Sequence, residues 1–190
     1  FDIATLLATQ PLPRGRRVAV LTNAGGPAIL CADTLSARGL SLPEFSYDLQ
    51  AKLRSFLRPE TSVGNPIDLI ASIDPTEFRR CLELVLASGE IDAVITIYVA
   101  RELGTSPAIA RAIREVTETL GRETTSLAVF LQLGEMPAEL HGEQLSVPCY
   151  LHPEAAAGAL AHAIEYAERR TRPLGQVCET DARQRRERFL

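Results

Sequence analysis

The chain has 190 residues, 46% of them hydrophobic, which is enough for one sizeable core and short of what two ordinary domains need. With 20 basic and 24 acidic residues the net charge is −4, so there is no electrostatic footprint for nucleic acid or an anionic membrane surface. No apolar run reaches the roughly 18–20 residues of a membrane span and the first residues lack a signal-peptide pattern, so a cytoplasmic protein is expected.

Residues 1–14 read as a short amphipathic helix, apolar at Phe1, Ile3, Leu6 and Leu7, with a Pro11-Leu12-Pro13 linker. Val18 to Leu21 is a continuous apolar strand. The small residues of Thr22-Asn23-Ala24-Gly25-Gly26 follow, able to take positive φ or to let a ligand approach the backbone. Pro27 is expected at the first position of a helix, where its missing N–H costs nothing. Ile29, Leu30, Ala32 and Leu35 recur at helical spacing, and Gly39 stops it.

Leu40 to Phe45, interrupted by Pro43, reads as a second strand at a sheet edge. Ser46 caps a helix from Tyr47 to Leu57. The segment from Arg58 to Asp74, dense in Pro, Ser, Gly and Asn, is a long loop of the kind that is usually functional or disordered. Asp74-Pro75-Thr76-Glu77 then opens a helix with a cap, a first-position proline and an acidic residue in the first turn, and Gly89 ends it. Ala93 to Val99, the most apolar run, reads as a central strand covered on both faces. Ser106-Pro107 starts a capped helix through Leu120. Leu127 to Leu133 is a fourth strand, a short helix lies near Pro137 to Leu140, and Val147 to Tyr150 is a fifth strand. Pro153 to Arg169 is an alanine-rich helix, and residues 171–190 read as a tail or a linker to a following domain.

Five strands alternating with helices predict an α/β fold over residues 15–170. It would be a flavodoxin-like, doubly wound, five-stranded parallel sheet of order 2-1-3-4-5 with helices on both faces. In such sheets ligands collect at the carboxyl ends of the strands, where the order reverses between strands one and three, and that is where the Gly-Gly turn falls. Free first-turn amides and the helix dipole there suit a phosphate or carboxylate. The alternative is a tight strand-to-helix turn that binds nothing, since Gly-Gly-Pro lacks the spacing of a dinucleotide or P-loop fingerprint.

The four cysteines, Cys31, Cys81, Cys149 and Cys178, form no C-x-x-C pair, and core packing is expected for the first three. His141, His152 and His162 have no metal-binding spacing, so no metal site is expected. Asp33 and Glu44 read as solvated surface, and Glu102 as structural.

The run from Pro11 to Pro27, ending in Thr-Asn-Ala-Gly-Gly-Pro, resembles the nucleoside-diphosphate-forming acyl-CoA synthetases, relatives of succinyl-CoA synthetase. Ser62-Val63-Gly64-Asn65-Pro66-Ile67-Asp68, Ile91 to Ile95, Pro153 to Ala157 and Tyr166 to Arg170 agree in order and spacing, so the similarity spans about residues 1–175. The resemblance implies one flavodoxin-like subdomain of a larger enzyme that makes acyl-CoA, ADP and phosphate from a carboxylic acid, CoA and ATP through an acyl phosphate and a phosphohistidine. ATP or ADP, CoA and Mg would belong to that parent enzyme, and the partners would be its CoA-binding, histidine-bearing and ATP-grasp domains.

By the same resemblance Asn23, Ala24, Gly25, Gly26 and Pro27 would face the phosphorylated histidine, and Gly64, Asn65, Pro66 and Asp68 would form an active-site loop. For Asn65, Pro66 and Asp68 ordinary turn chemistry is the alternative. The family's Ser-His-Thr-Gly-type motif is absent, no catalytic side chain is assigned to this chain, and Ala28 replaces a further glycine. An isolated fragment of this kind would be inactive. Two other roles stay open: a CoA-sensing regulatory domain of a protein lysine acetyltransferase, and a non-catalytic assembly module.

Overall fold

Five strands, β1 (Val18–Thr22), β2 (Ile67–Asp68), β3 (Ala93–Val99), β4 (Thr125–Leu131) and β5 (Cys149–Tyr150), pair in parallel in the order β2-β1-β3-β4-β5. The computed structural model describes residues 1–100, 104–131 and 136–173. Glu102, the expected end of the fourth strand at Gln132 and Leu133, Cys178 and the tail beyond residue 173 lie outside the described residues.

The helices are α1 (Asp2–Thr9), α2 (Gly25–Ala37), α3 (Tyr47–Arg54), α4 (Pro75–Ala87), α5 (Ser106–Leu120) and α6 (Pro153–Thr171). Side chains of a strand point alternately to opposite faces, and the sheet's two faces sort accordingly. Val18 and Val20 of β1 pack with Ile95 and Ile97 of β3 beneath α1, α2 and α6, where Leu6, Cys31, Leu35 and Leu160 are buried. Ala19 and Leu21 turn the other way, with Val94 and Tyr98, beneath α3, α4 and α5, where Leu53, Phe78, Leu82 and Ile113 are buried. Burial on both faces explains why β1, β3 and β4 read as unbroken apolar runs rather than alternating ones. The flavodoxin-like, doubly wound sheet of order 2-1-3-4-5 is therefore the architecture of this chain.

The element that takes the second place in that order is not the expected one. Leu40–Phe45 forms no strand. Ser41 makes a single parallel bridge to Arg17, and the edge strand is Ile67–Asp68, inside the segment expected to be a loop. Pro43, with no N–H to donate, cannot continue a ladder, and the chain turns away after one bridge. The second helix also starts earlier than expected. Ala24 is its N-cap and Gly25 its first residue, which puts Pro27 third, still inside the first turn where no intrahelical donor is lost.

Several stop and start signals fold as their chemistry dictates. At the end of α2 the Gly39 N–H donates to Ser36 O and the Leu40 N–H to Leu35 O, with Gly39 at φ +72°, a six-residue Schellman closure. The Ser46 side chain accepts from the Leu49 N–H, and Asp74 accepts from both Thr76 and Glu77 ahead of Pro75. At α5 the N-cap is Thr105 rather than Ser106, which sits at the first helical position.

Candidate functional site at the carboxyl edge of the sheet

The strand-to-helix turn after β1 is held by two side chains and by a backbone pairing. Thr22 Oγ1 accepts from the Ala24 N–H at 3.0 Å and donates to Ala24 O at 3.1 Å, which fixes the turn just before the helix. Asn23 is only 2% exposed and points at β3: its Nδ2 donates to Val99 O at 3.0 Å and its Oδ1 accepts from the Val99 N–H at 2.8 Å. This two-point contact extends the β1–β3 pairing past the last strand residue and consumes the amide's donor and acceptor. On the other side, Thr22 is the register partner of Asp68, and the Leu69 N–H donates to Thr22 O at 2.8 Å.

Beyond this clamp α2 begins without a side-chain cap. The N–H groups of Gly25 and Gly26, the first two helical positions, have no intrahelical acceptor by geometry and no protein partner among the described residues. The macrodipole of a 13-residue helix places about half a unit of positive charge at the same end. Gly26 is exposed, and a Cβ built there meets nothing within 4 Å, so the helix start is open to solvent. Two unpaired donors with a fixed dipole behind them can hold an anion without any side chain reorganising.

Asp68 reaches the same place from β2. Its Oδ1 accepts from the Ile70 N–H at 3.0 Å, and its Oδ2 lies 3.1 Å from where a Cβ on Gly25 would be. Ile70 has φ 57°, a left-handed conformation that a β-branched residue rarely takes, and its N–H donates to Asp68 Oδ1 in that conformation. Asn65 is engaged elsewhere. Its Oδ1 accepts from the Val20 N–H at 3.1 Å, while its Nδ2 donates to Val18 O at 2.8 Å and to Pro43 O at 3.2 Å. The Asn65–Pro66 peptide is cis, and Gly64 precedes it half-buried.

Of the residues singled out by sequence, Asn23 to Pro27 and Asp68 thus converge on one point, whereas the Asn65 amide lies against the middle of β1. The sequence placed Thr22 in the turn without giving its hydroxyl a role, and it did not single out Ile70. A threonine two residues ahead of the turn was a usable signal for Thr22, and nothing in the sequence marks Ile70. Of the apolar residues at helical spacing in α2, Ile29 and Leu30 are 62% and 51% exposed, while Ala28, Cys31 and Leu35 take the buried positions. They form an apolar pair one turn from Gly26. Among the described residues no three His, Cys, Asp or Glu converge as a metal site, and no helix is long and apolar enough to cross a membrane. Burial pushes the thiols of Cys31 and Cys149 up to about 12 and about 11 and raises that of Cys81 as well, which disfavours the thiolate form at all three.

The family model described as the Ligase-CoA domain matches residues 18–158. The chain is 37% identical over 166 residues to the alpha subunit of ADP-forming acetate–CoA ligase II of Pyrococcus furiosus, an alignment that takes in 84% of this chain and 36% of that subunit. It is 26% identical over 168 residues to the ADP-forming 4-hydroxybutyrate–CoA ligase of Nitrosopumilus maritimus, covering 88% of this chain and 24% of that protein. The chain spans about a third of the length of the subunit and a quarter of the longer ligase. Among solved structures, a protein of Pyrococcus horikoshii OT3 superposes with a TM-score of 0.74 at 32% identity, over 88% of this chain and 40% of that one. The dinucleotide-forming acetyl-coenzyme A synthetase 1 of Ca. Korarchaeum cryptofilum, in complex with phosphate and ADP, has the same fold. Its TM-score is 0.72 at 22% identity, over 91% of this chain and 39% of that one.

Proposed function

The chain belongs to the Ligase-CoA domain family of ADP-forming acyl-CoA synthetases, and from that premise we propose that it is the unit of such an enzyme that receives a phosphoryl group at the start of α2. The observation that carries this reading is the pair of amides at Gly25 and Gly26 that have no partner among the described residues, set at the strand-order reversal between β1 and β3 and backed by the dipole of α2. The reaction would be that of the relatives' class, in which a carboxylic acid, CoA and ATP give acyl-CoA, ADP and phosphate. A phosphohistidine supplied from elsewhere in the parent protein would present its phosphoryl oxygens to these amides.

The residues of this chain would bind and orient; none would act as nucleophile. Thr22 and Asn23 set the position of the turn, the Gly25 and Gly26 amides hold charge, and Pro27 fixes the first helical turn without adding a donor. ATP, CoA and Mg would be held by other parts of the synthetase. We place the contact with those parts at Ile29 and Leu30, the exposed apolar pair beside the helix start, and we take residues 15–170 as the folded unit acting in the cytoplasm. Partners would be the CoA-binding, histidine-bearing and ATP-grasp domains or subunits.

The test uses the full-length protein supplied with ATP, CoA and a panel of short-chain acids, with acyl-CoA and acid-labile protein-bound phosphate as readouts. Formation of both, and loss of the phosphorylated form's turnover in Gly26→Val, is the expected result. Absence of acyl-CoA and of phosphohistidine with every acid would overturn the reading in favour of a CoA-sensing regulatory module.

A further inference from the structure

The segment by which the chain enters the sheet and the helix by which it leaves form one groove. Residues 12–15, just ahead of β1, contribute one side and the last turns of α6 the other, around a volume of about 540 Å³. Leu12, Pro13, Ile164 and Ala167 give the groove an apolar lining, and Arg14 and Arg170 add two exposed cations. The Arg14 side chain, 62% exposed, pairs with Glu123, and Arg170 lies over the Tyr166 ring. The helix ends at Thr171, itself part of the groove. Arg172 then leaves in an extended conformation, φ −68° and ψ 136°, and Pro173 cannot continue a helix.

The next residues of the chain, outside the described ones, run Leu174-Gly175-Gln176-Val177-Cys178, followed by Glu179 and Asp181. We infer that this groove is an intramolecular docking site for residues 174–178, with Leu174 and Val177 against its apolar lining and the carboxylates of Glu179 and Asp181 toward Arg14 and Arg170. Reach, polarity and charge all agree. Leu174 is three residues from Thr171, a span of up to about 10 Å, so it starts beside the groove. The apolar pair comes first, where the lining is apolar, the two acids come next, where cations are exposed, and the arginines of the segment begin only at Arg183. A second copy would have to bring the same residues in trans against a local segment already held at high effective concentration. Docking pins the exit of the chain from the folded unit to its entry, and so sets the direction in which residues 182–190 depart.

Cys178 supplies the probe. In the 190-residue chain, Leu12→Cys and, separately, Ala167→Cys set a thiol in the groove. Arg38→Cys sets one outside it, at the exposed end of α2, which Arg16 ties to α6 through Gly39 O and Glu168. The seven residues from Thr171 to Cys178 span up to about 25 Å, enough to reach either place. Each variant is oxidised with copper phenanthroline at low protein concentration, and the intramolecular disulfide to Cys178 is followed by peptide mapping. The expected result is a rate about tenfold or more above the Arg38→Cys control for at least one groove position, because docking raises the effective concentration over that of a freely tethered segment. Leu174→Asp with Val177→Asp, which alters no described residue, should abolish that advantage. A smaller advantage at both groove positions overturns the docking. So does an advantage that survives the double substitution, which would mean that tethering alone brings Cys178 there. Disulfides formed only between chains, and rising with protein concentration, also overturn it and give the groove to a second copy.

Discussion

Asn65 stands in for a strand beside Val20. Its side-chain oxygen accepts from the Val20 N–H at 3.1 Å and its amide nitrogen donates to Val18 O at 2.8 Å, between the bridge made by Ser41 and the pairing made by Ile67. Val18 and Val20 are fully buried, so neither backbone group has water as a substitute. Asn65→Ala is expected to lower the unfolding free energy by about 2–4 kcal/mol, read from urea midpoints. Gly64→Ala is the control: its Cβ would have only Ser62 Oγ, at 4.0 Å, nearby, and its effect should stay within about 0.5 kcal/mol. Equal loss in the two would mean that the loop as a whole, rather than the amide, supports β1.

The two glycines that open α2 differ in what a side chain would meet. Gly26→Ala enters open space at a helical position and should leave the protein unchanged or up to about 1 kcal/mol more stable, because the unfolded chain loses freedom. Gly25→Ala sets a methyl 3.1 Å from Asp68 Oδ2, so the carboxylate must give way and the same gain should be absent. Thermal melts of the two variants side by side check the difference, and identical gains would show that Asp68 is loosely held.

Acid sensitivity should centre on Asp92. Its carboxylate accepts from the Arg17 guanidinium at 2.8 and 3.1 Å and from the Arg17 backbone N–H at 2.9 Å, and the guanidinium bond, against an opposing effect of burial, holds it below the ordinary carboxylate value. A carboxyl whose folded value is depressed stabilises the fold above its unfolded value, about 4, and that contribution is lost as pH falls through the folded value. Arg17 is half exposed, so the charge pair contributes at most about 1 kcal/mol. Asp92→Asn should therefore lose stability at pH 7 and show a shallower decline below about pH 4 than the parent chain, measured by urea melts at stepped pH. Gly15→Ala should act in the same direction, because its Cβ would lie 2.8 Å from Asp92 Cγ.

Thiol chemistry should report burial. Cys31 and Cys81 are fully buried with raised thiols, and Cys149 is half-buried. With iodoacetamide at pH 8, peptide mapping should find Cys31 and Cys81 unmodified in the native protein and all three labelled in denaturant, with Cys149 between. Prompt native labelling of Cys31 would mean that α2 lifts from the sheet.

Exchanging the exposed apolar pair tests docking without disturbing the fold. Ile29→Lys with Leu30→Lys should change the unfolding free energy of the chain by no more than about 0.5 kcal/mol, because both side chains already face solvent. In the full-length protein the same pair should depress acyl-CoA formation and alter the sedimentation profile. Unchanged activity and assembly would place the contact with the rest of the synthetase elsewhere.

The sequence was informative wherever backbone and side chain obey one local rule. Val18 to Leu21, Asp74-Pro75 and Gly39 each announce a buried strand, a capped start or a left-handed stop, and each is found in that form. The edge beside β1 was illegible because no single element forms it. Ser41 supplies one bridge, Asn65 a side chain, and Ile67–Asp68 two residues, too short for any periodicity. The spacing of Ile29 and Leu30 marked a helix, which α2 is, but helical spacing gives the width of an apolar face and not which part of it is covered. At the site, the Gly-Gly turn was visible from composition, whereas the approach of Asp68 to Gly25 depends on strand register, which only the folded chain reveals.

The sheet finishes in two-residue strands at both margins, Ile67–Asp68 at one and Cys149–Tyr150 at the other. A foreign strand seeking to add itself would find no long row of vacant N–H and C=O groups. On the β1 side, much of that row is already spent on Ser41 and on the Asn65 amide, and on the β4 side Gln10 takes the Ser126 N–H. Short margins plugged by side-chain amides make this domain a poor template for edge-to-edge aggregation, even though its interior strands are among the most β-prone stretches of the chain.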